Sequence, residues 1–210
     1  MDISKYIDFT LLKPNAKVED YKTLCLEAKK NNFYSVCVPP FMVKECKSKL
    51  KDSDVKITTV IGFPLGYVTI ETKADETIDA IKNGADDIDM VINISELKSG
   101  NIDYVKTELK EMRIASKGKT LKVIIETCYL SKDEIALVSK LISESGADFV
   151  KTSTGFGTGG ATLEDIEIIK KSIDPKTKIK AAGGIRTYEA ALSFIKAGVS
   201  RIGASSLLTP

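Results

Sequence analysis

The sequence predicts an α/β protein folded as a single (β/α)8 TIM barrel over residues 1–210. Short apolar runs rich in Val and Ile recur along the chain, and longer segments with the period of amphipathic helices separate them. The alternation covers the whole length and contains eight such runs, the number that closes a parallel barrel. No stretch rich in Pro, Ser or Gly divides the chain, so one domain is expected. A doubly wound open sheet is the second interpretation.

Each strand is predicted from a run that suits a buried parallel sheet. The predicted strands are residues 6–10 (YIDFT), 35–39 (SVCVP), 56–62 (KITTVIG), 87–93 (DIDMVIN), 122–127 (KVIIET), 148–152 (DFVKT), 178–183 (KIKAAG) and 201–204 (RIGA). Amphipathic helices are predicted between them, for example at 18–32, 69–84, 131–146 and 187–198. The last three of these segments end in glycine, which suits a helix C-cap.

The composition is that of an ordinary globular protein, with 43% hydrophobic and 29% charged residues. The 31 basic and 29 acidic residues are scattered along the chain, so neither nucleic acid nor a membrane is expected as a partner. The first residues, MDISKYIDFTLLKP, lack the basic and apolar segments of a signal peptide. A cytoplasmic location is therefore expected.

The cysteines and the absence of histidine limit the chemistry. The chain has no histidine, and its four cysteines contain no CxxC pair, so a Cys/His zinc site cannot be built. Free thiols suit a reducing cytoplasm. We expect no metal and no cofactor, and any general acid or base must be a carboxylate, a lysine, a tyrosine, a thiol or water.

Two lysines occupy adjacent strand ends of the predicted barrel, where such enzymes place their active sites. Lys151 ends strand six and Lys180 lies in strand seven, and each interrupts an apolar alternation. A single lysine at a strand end is usually a solvent-reaching cap. Two ammonium groups ~4 Å apart would repel by ~4 kcal/mol at an effective dielectric near 20, roughly three pKa units. One of them would then titrate near neutrality, and its neutral amine is a nucleophile for Schiff-base chemistry.

Asp89, in strand four, supplies a carboxylate that could move protons once an iminium has formed. An ion pair that holds a lysine in place is an equally good interpretation of Asp89. The preceding Asp86 and Asp87 are expected to be solvated or to face a helix.

Glycine-bearing loops follow strands seven and eight, at 183–187 (GGIRT) and 203–206 (GASS). Backbone amides in these loops form the phosphate site of many barrels, and Arg186, Ser205 and Ser206 add donors. Helix capping by Thr187 and Ser205 is compatible with that role. The G-x-G-x-x-G at 155–160 does not suit a dinucleotide, because KTST separates it from the strand and no acid ends the next strand.

The chain resembles the deoxyribose-phosphate aldolase family over nearly its whole length. The matching segments, in order and spacing, are IDFTLLKP, SVCVPP, VIGFPLG, GADDIDMVIN, KVIIET, GADFVKTSTGF, KAAGGIRT and RIGASS. The resemblance implies a class I aldolase of deoxyribonucleotide catabolism, which cleaves 2-deoxy-D-ribose 5-phosphate to D-glyceraldehyde 3-phosphate and acetaldehyde. It also implies a homo-oligomer, a dimer or a tetramer.

The resemblance assigns roles residue by residue. It implies that Lys151 is the Schiff-base lysine, Lys180 the second lysine and Asp89 the proton relay. The substrate-binding residues it implies are Thr10, Cys37, Gly183, Gly184, Arg186, Gly203, Ser205 and Ser206. Many members have histidine where this chain has Phe9, and we expect only local packing and pH response to differ. Another phosphosugar barrel, an isomerase or a different class I aldolase, is the alternative enzyme, and a catalytically silent phosphate-sensing protein is the alternative of another class.

Overall fold

The computed structural model describes residues 1–208 and contains a closed barrel of eight parallel strands in the order β1 to β8. The strands are β1 (Ile7–Thr10), β2 (Ser35–Val38), β3 (Lys56–Ile61), β4 (Asp87–Val91), β5 (Thr120–Ile124), β6 (Phe149–Lys151), β7 (Lys178–Ala182) and β8 (Arg201–Ala204). Each strand pairs with its sequence neighbours, and β1 closes the barrel against β8. The predicted TIM barrel is confirmed.

Helices alternate with the strands and cover the barrel. They are α1 (Val18–Lys30), α2 (Val43–Lys49), α3 (Ile70–Lys82), α4 (Ile94–Lys98), α5 (Ile102–Ala115), α6 (Lys132–Glu144), α7 (Leu163–Ser172) and α8 (Tyr188–Lys196). Short 3₁₀ helices lie at Ser4–Tyr6, Pro40–Met42 and Thr127–Tyr129. Within residues 1–208, no helix has the length and apolar character needed to cross a lipid bilayer.

Strands four and five differ most from their predicted bounds. The predicted strand at 87–93 ends at Val91, because Asn93 leaves the sheet and caps α4 by accepting a hydrogen bond from the Glu96 N–H at 3.2 Å. The predicted strand at 122–127 instead covers Thr120–Ile124, and Glu126 has left-handed backbone angles that no strand allows. The predicted C-terminal glycines of α3, α6 and α8 all have positive φ, as a C-cap requires.

The barrel has an apolar outside and a polar inside. Successive side chains of a strand point to opposite faces, so the apolar residues of β1, β4 and β5, such as Ile7, Ile88 and Leu121, pack under the helices. The alternate residues point into the barrel, where charged and hydroxyl side chains replace the usual branched aliphatics. The closed barrel therefore concentrates titratable side chains in its interior, away from bulk water.

Phe9 shows that the one visible departure from the family pattern lies outside the barrel interior. Its neighbours Asp8 and Thr10 point inward, and Phe9 packs against Phe33 with 5.3 Å between ring centroids. The side chain is only 8% exposed and belongs to the apolar core. Phe9 is thus a core packing residue, and the expected difference in local packing and pH response stays a prediction.

Candidate active site

Lys151 and Lys180 meet at one carboxylate in the barrel interior. Strand register places the two residues directly opposite each other on β6 and β7. Lys151 Nζ donates to Asp89 Oδ2 at 2.8 Å, and Lys180 Nζ donates to the same oxygen at 2.7 Å. All three side chains are buried, with Asp89 and Lys180 fully enclosed. The three predicted catalytic residues therefore form one hydrogen-bonded group.

A second group of charges, which the sequence analysis missed, lies beneath the first. Lys122 contacts Asp87 Oδ2 at 2.7 Å and Asp89 Oδ1 at 3.0 Å, and Lys180 also donates to Asp8. Asp87 was predicted to be solvated or to face a helix, and this prediction is wrong because its side chain points into the barrel and pairs with Lys122. Asp86, for which the same prediction was made, does face outward, and it accepts a hydrogen bond from Lys47 of α2.

The buried charges of the cluster are balanced until Arg201 is included. The buried carboxylates of the cluster are those of Asp8, Asp87 and Asp89, and the buried amines beside them are those of Lys122, Lys151 and Lys180. Arg201 adds a positive charge at the edge of the cluster, where its side chain is 17% exposed and its Nε lies 3.9 Å from Asp8 Oδ1. This additional cation favours loss of a proton from one of the lysines.

The proton is lost most easily from Lys151. Burial lowers the pKa of Lys151, Asp89 opposes this, and Lys180 adds to the lowering. Burial alone would also lower the pKa of Lys180, but Asp8 and Asp89 together raise it above its usual value. The predicted cause was repulsion between the two ammonium groups, and the structure corrects this because burial contributes most.

Asp89 stays ionised between the lysines. Burial alone would raise the pKa of Asp89, but Lys122, Lys151 and Lys180 hold it well below its usual value. Cys37, predicted to line the pocket, is fully buried beside these charges, and burial raises the pKa of its thiol. Cys37 is therefore a neutral thiol beside the cluster, and it does not belong to the lining of the cavity above Lys151.

A cavity of about 400 Å³ opens above Lys151 at the carboxyl ends of the strands. Its lining contains Lys151 and six predicted substrate-binding residues, namely Thr10, Gly183, Gly184, Arg186, Gly203 and Ser205. Ser206 is exposed and lies outside this lining. Lys13, Thr154 and Phe156 also line the cavity, and the sequence analysis did not name them. Lys13 could have been noticed, because it lies on the loop that follows Thr10, the last residue of β1.

The loop after β7 has the conformation that an anion-binding backbone needs. Gly183 and Gly184 both have positive φ, at 85° and 78°, which residues with a side chain rarely adopt. Thr187 then caps α8 by accepting a hydrogen bond from the Ala190 N–H at 3.2 Å, as predicted. Both glycines line the cavity, in the loop that leads to the N-terminus of α8, where backbone N–H groups are suited to bind an anion.

The G-x-G-x-x-G at 155–160 has a packing role between two loops and does not form a dinucleotide-binding turn. A Cβ added to Gly160 would lie 2.2 Å from the Gly183 carbonyl oxygen, so only glycine allows this approach. The next residue, Ala161, donates its N–H to the Ala182 carbonyl at 3.1 Å. The motif therefore packs the loop after β6 against the loop after β7.

The fold and the buried lysine cluster define a (β/α)8-barrel enzyme whose site lies at the carboxyl ends of its strands. The chain belongs to the DeoC/LacD family of aldolases, whose family model matches residues 3–209.

Known relatives cover nearly the whole chain. A deoxyribose-phosphate aldolase of Thermococcus gammatolerans is 55% identical over 210 residues, covering 98% of this chain and 93% of the relative. One from Brevibacillus brevis is 53% identical over 206 residues, with the same coverage. The solved deoxyribose phosphate aldolase of Aeropyrum pernix, described as having a unique tetrameric structure, superposes with a TM-score of 0.89 at 32% identity, over 97% of this chain and 87% of that one.

Proposed function

We propose that this chain reversibly cleaves 2-deoxy-D-ribose 5-phosphate to D-glyceraldehyde 3-phosphate and acetaldehyde through a Schiff base on Lys151. The observation that carries the proposal is a buried lysine of lowered pKa at the floor of a cavity whose mouth has glycine loops and two cations. Residues 1–210 act as one catalytic domain, since β1 and β8, from the two ends of the chain, are hydrogen-bonded neighbours.

Phosphate binding holds the substrate at the mouth of the cavity. The backbone amides of the loops after β7 and β8, with Ser205, supply hydrogen-bond donors to a phosphate dianion. Arg186 and Lys13 supply two positive charges on the same lining. Anchoring this end brings the C1 aldehyde of the open-chain sugar to Lys151 and removes the entropic cost of finding it.

The bond changes begin with the neutral Lys151 amine. Its lone pair attacks C1, and the resulting carbinolamine loses water to form an iminium. The C2–C3 bond then breaks with its electron pair flowing into the iminium, and the C3 hydroxyl loses its proton to become the aldehyde of D-glyceraldehyde 3-phosphate. The enamine that remains on Lys151 is protonated at carbon, and water hydrolyses the new iminium to acetaldehyde and the free amine.

Asp89 and Lys180 move the protons of these steps. Lys180, whose pKa is raised, is the protonated reservoir, and Asp89 touches both lysines. A carboxylate with a strongly lowered pKa holds a proton only transiently, so Asp89 passes protons between Lys180, a water molecule and the reacting atoms. The proposed reaction needs no cofactor, because the iminium on Lys151 is the electron sink.

Two measurements test the proposal together. A coupled assay follows release of D-glyceraldehyde 3-phosphate from 2-deoxy-D-ribose 5-phosphate, and borohydride with acetaldehyde traps the adduct, which mass spectrometry then maps. We expect turnover and a reduced adduct on Lys151, with turnover reduced by on the order of 10⁴-fold or more in Lys151→Ala. Lys140→Ala, which removes an exposed lysine of α6, is the control. A wild-type protein with neither turnover nor adduct would refute the proposal.

We also propose a cytoplasmic homo-oligomer, a dimer or a tetramer. Four free thiols suit a reducing compartment. Large apolar side chains such as Phe41, Leu65 and Tyr67 are more than half exposed and are available for subunit contacts. Light scattering after size-exclusion chromatography gives the subunit number, and a monomer at micromolar concentration would contradict this proposal.

A further inference from the structure

Glu126 is a buried carboxylate whose backbone has a left-handed conformation, which is costly for any residue that carries a side chain. It follows β5 with φ 52° and ψ 68°, in the left-handed region that residues other than glycine, asparagine and aspartate rarely occupy. Its side chain is enclosed, and the residue is only 2% exposed. Such a conformation persists only where surrounding contacts hold it, so the contacts of Glu126 indicate its purpose.

Those contacts converge on Thr154, which lines the cavity. Glu126 Oε1 accepts a hydrogen bond from the Thr154 N–H at 3.1 Å, and Oε2 accepts one from the Thr154 hydroxyl. The Thr154 Oγ1 in turn accepts a hydrogen bond from the Phe156 N–H at 3.0 Å. Both Thr154 and Phe156 lie on the lining that contains Lys151. Glu126 thus fixes the loop after β6 without reaching the cavity itself.

These bonds determine what Thr154 can offer a ligand. A hydroxyl has one hydrogen to donate and two lone pairs that accept, and a carboxylate only accepts. The Thr154 hydrogen is used by Glu126, and one lone pair is used by Phe156. The remaining lone pair can only accept, so Thr154 can bind a hydroxyl of a substrate but cannot bind a carbonyl oxygen or a phosphate oxygen.

We propose that Glu126 is a positioning residue that makes Thr154 an obligate acceptor for the C4 hydroxyl of the sugar phosphate. The inference rests on the proposed aldolase function. The open-chain substrate has hydroxyls at C3 and C4, and the C3 hydroxyl must lose its proton to a base during cleavage. A threonine acceptor is no base, so the C4 hydroxyl is the group left for Thr154. This hydroxyl is the C2 hydroxyl of the acceptor aldehyde in the synthetic direction.

Glu126→Gln tests the inference because it keeps the side chain's shape and reverses one hydrogen bond. Its amide oxygen can accept from the Thr154 N–H, and its NH₂ then donates to Thr154 Oγ1, which turns the hydroxyl hydrogen toward the cavity. The assay measures kcat/KM for addition of acetaldehyde to D-glyceraldehyde and to 2-fluoro-3-hydroxypropanal, whose C2 substituent can accept a hydrogen bond but cannot donate one. We expect the ratio of the two values to fall about tenfold in Glu126→Gln, because the turned Thr154 hydroxyl no longer requires a donor from the aldehyde.

Further variants make the result specific to the hydrogen-bond chain. Thr154→Val should lower the same ratio, Thr154→Ser should restore it, and the double variant Glu126→Gln/Thr154→Val should lose no more than Thr154→Val alone. Glu167→Gln removes the same charge from an exposed position of α7 and should leave the ratio unchanged. If Glu126→Gln does not fold, the comparison of Thr154→Val with Thr154→Ser decides, and equal ratios for that pair overturn the inference.

Borohydride trapping of acetaldehyde separates this inference from the proposed function. Adduct on Lys151 in Glu126→Gln together with a reduced ratio supports the inference. Adduct with an unchanged ratio overturns the inference alone and leaves the aldolase proposal standing. Loss of the adduct in a folded Glu126→Gln also overturns it, because Glu126 would then act on the lysine step. No adduct in the wild type refutes the proposed function itself.

Discussion

Two buried lysines of this protein share a lowered pKa and a carboxylate partner, but they differ in their remaining contacts. Burial lowers the pKa of Lys73, between α3 and α5, and of Lys151, in the barrel, although each touches a carboxylate. Lys73 Nζ donates to the Gly66 carbonyl at 2.6 Å, the Val91 carbonyl at 2.7 Å and Glu108 Oε1 at 2.5 Å. All three of its donor positions are used.

Lys151 uses fewer of its hydrogen-bond donor positions than Lys73 does. Within residues 1–208 its hydrogen-bond acceptor is Asp89 Oδ2, and its side chain reaches the surface of the cavity. A lowered pKa therefore does not identify a reactive lysine by itself. Unused donor positions and access to a cavity separate the nucleophile from the structural lysine, whose ion pair ties the loop after β3 and the end of β4 to α5.

The largest effect that tests this contrast is expected from Lys73→Met. The change leaves Glu108 fully buried without its cation, with the Asn93 N–H as its remaining partner, and the pKa of Glu108, which burial already raises, rises further. Breaking a buried pair in this way costs about 3–5 kcal/mol, which lowers Tm by about 10 °C in a chain of this size. Calorimetry measures the loss, and the double variant Lys73→Met/Glu108→Leu should recover much of it. Borohydride trapping on Lys151 should persist while Lys73→Met is folded, and a Tm equal to that of the wild type would refute the structural role.

A second prediction concerns the pH dependence of Lys151. Its pKa is lowered, so adduct formation should increase as pH rises through that lowered value. Lys180→Met removes a positive neighbour and leaves Asp89 with one fewer cation, and both changes raise the pKa of Lys151. The trapping rate should then reach its maximum at higher pH than in the wild type. Circular dichroism checks that the variant is folded, and an unmoved pH profile would show that Lys180 has no influence on the amine.

The sequence sufficed for the fold because the signal is local. Alternation of apolar runs and amphipathic segments predicts all eight strands, and the largest boundary errors occur where Asn93 and Glu126 take up other roles. Lys151 and Lys180 were predicted because a lysine stands out in an apolar strand. Their register, with the two residues directly opposite, agrees with adjacent strands in a barrel.

The rest of the cluster could not be predicted because it depends on contacts across the barrel. Asp8 and Lys180 are 172 positions apart in the chain, and nothing near Asp8 in sequence announces a cation partner. From the sequence, Asp87 was predicted to be solvated, because its contact with Lys122 of the neighbouring strand is visible only in the folded barrel. The predicted cause of the Lys151 pKa shift was incomplete for the same reason: Lys180 does lower this pKa, but burial lowers it more, and the depth of burial is a property of the closed barrel.

The cations at the mouth of the cavity differ from both buried lysines, because they lie in solvent and are expected to bind the substrate phosphate. Arg186→Met should raise KM for 2-deoxy-D-ribose 5-phosphate about tenfold, since a guanidinium can form paired bonds to phosphate. KM for 2-deoxy-D-ribose, which lacks the phosphate, should not change. Steady-state kinetics on both sugars make the comparison, and an equal rise for both would mean that Arg186 shapes the cavity and does not bind the phosphate.

The smallest expected effect comes from Lys13→Met, at about two- to fivefold in KM for the phosphorylated sugar. Lys13 is exposed, and an exposed, flexible ammonium gains little from pairing with an anion because water and salt screen it. For the same reason the effect should shrink as ionic strength rises, whereas the inactivity of Lys151→Ala should not depend on salt. Kinetics at low and high salt check both variants. An effect of Lys13→Met that is constant with salt would mean that Lys13 holds the loop after β1 and does not act through its charge.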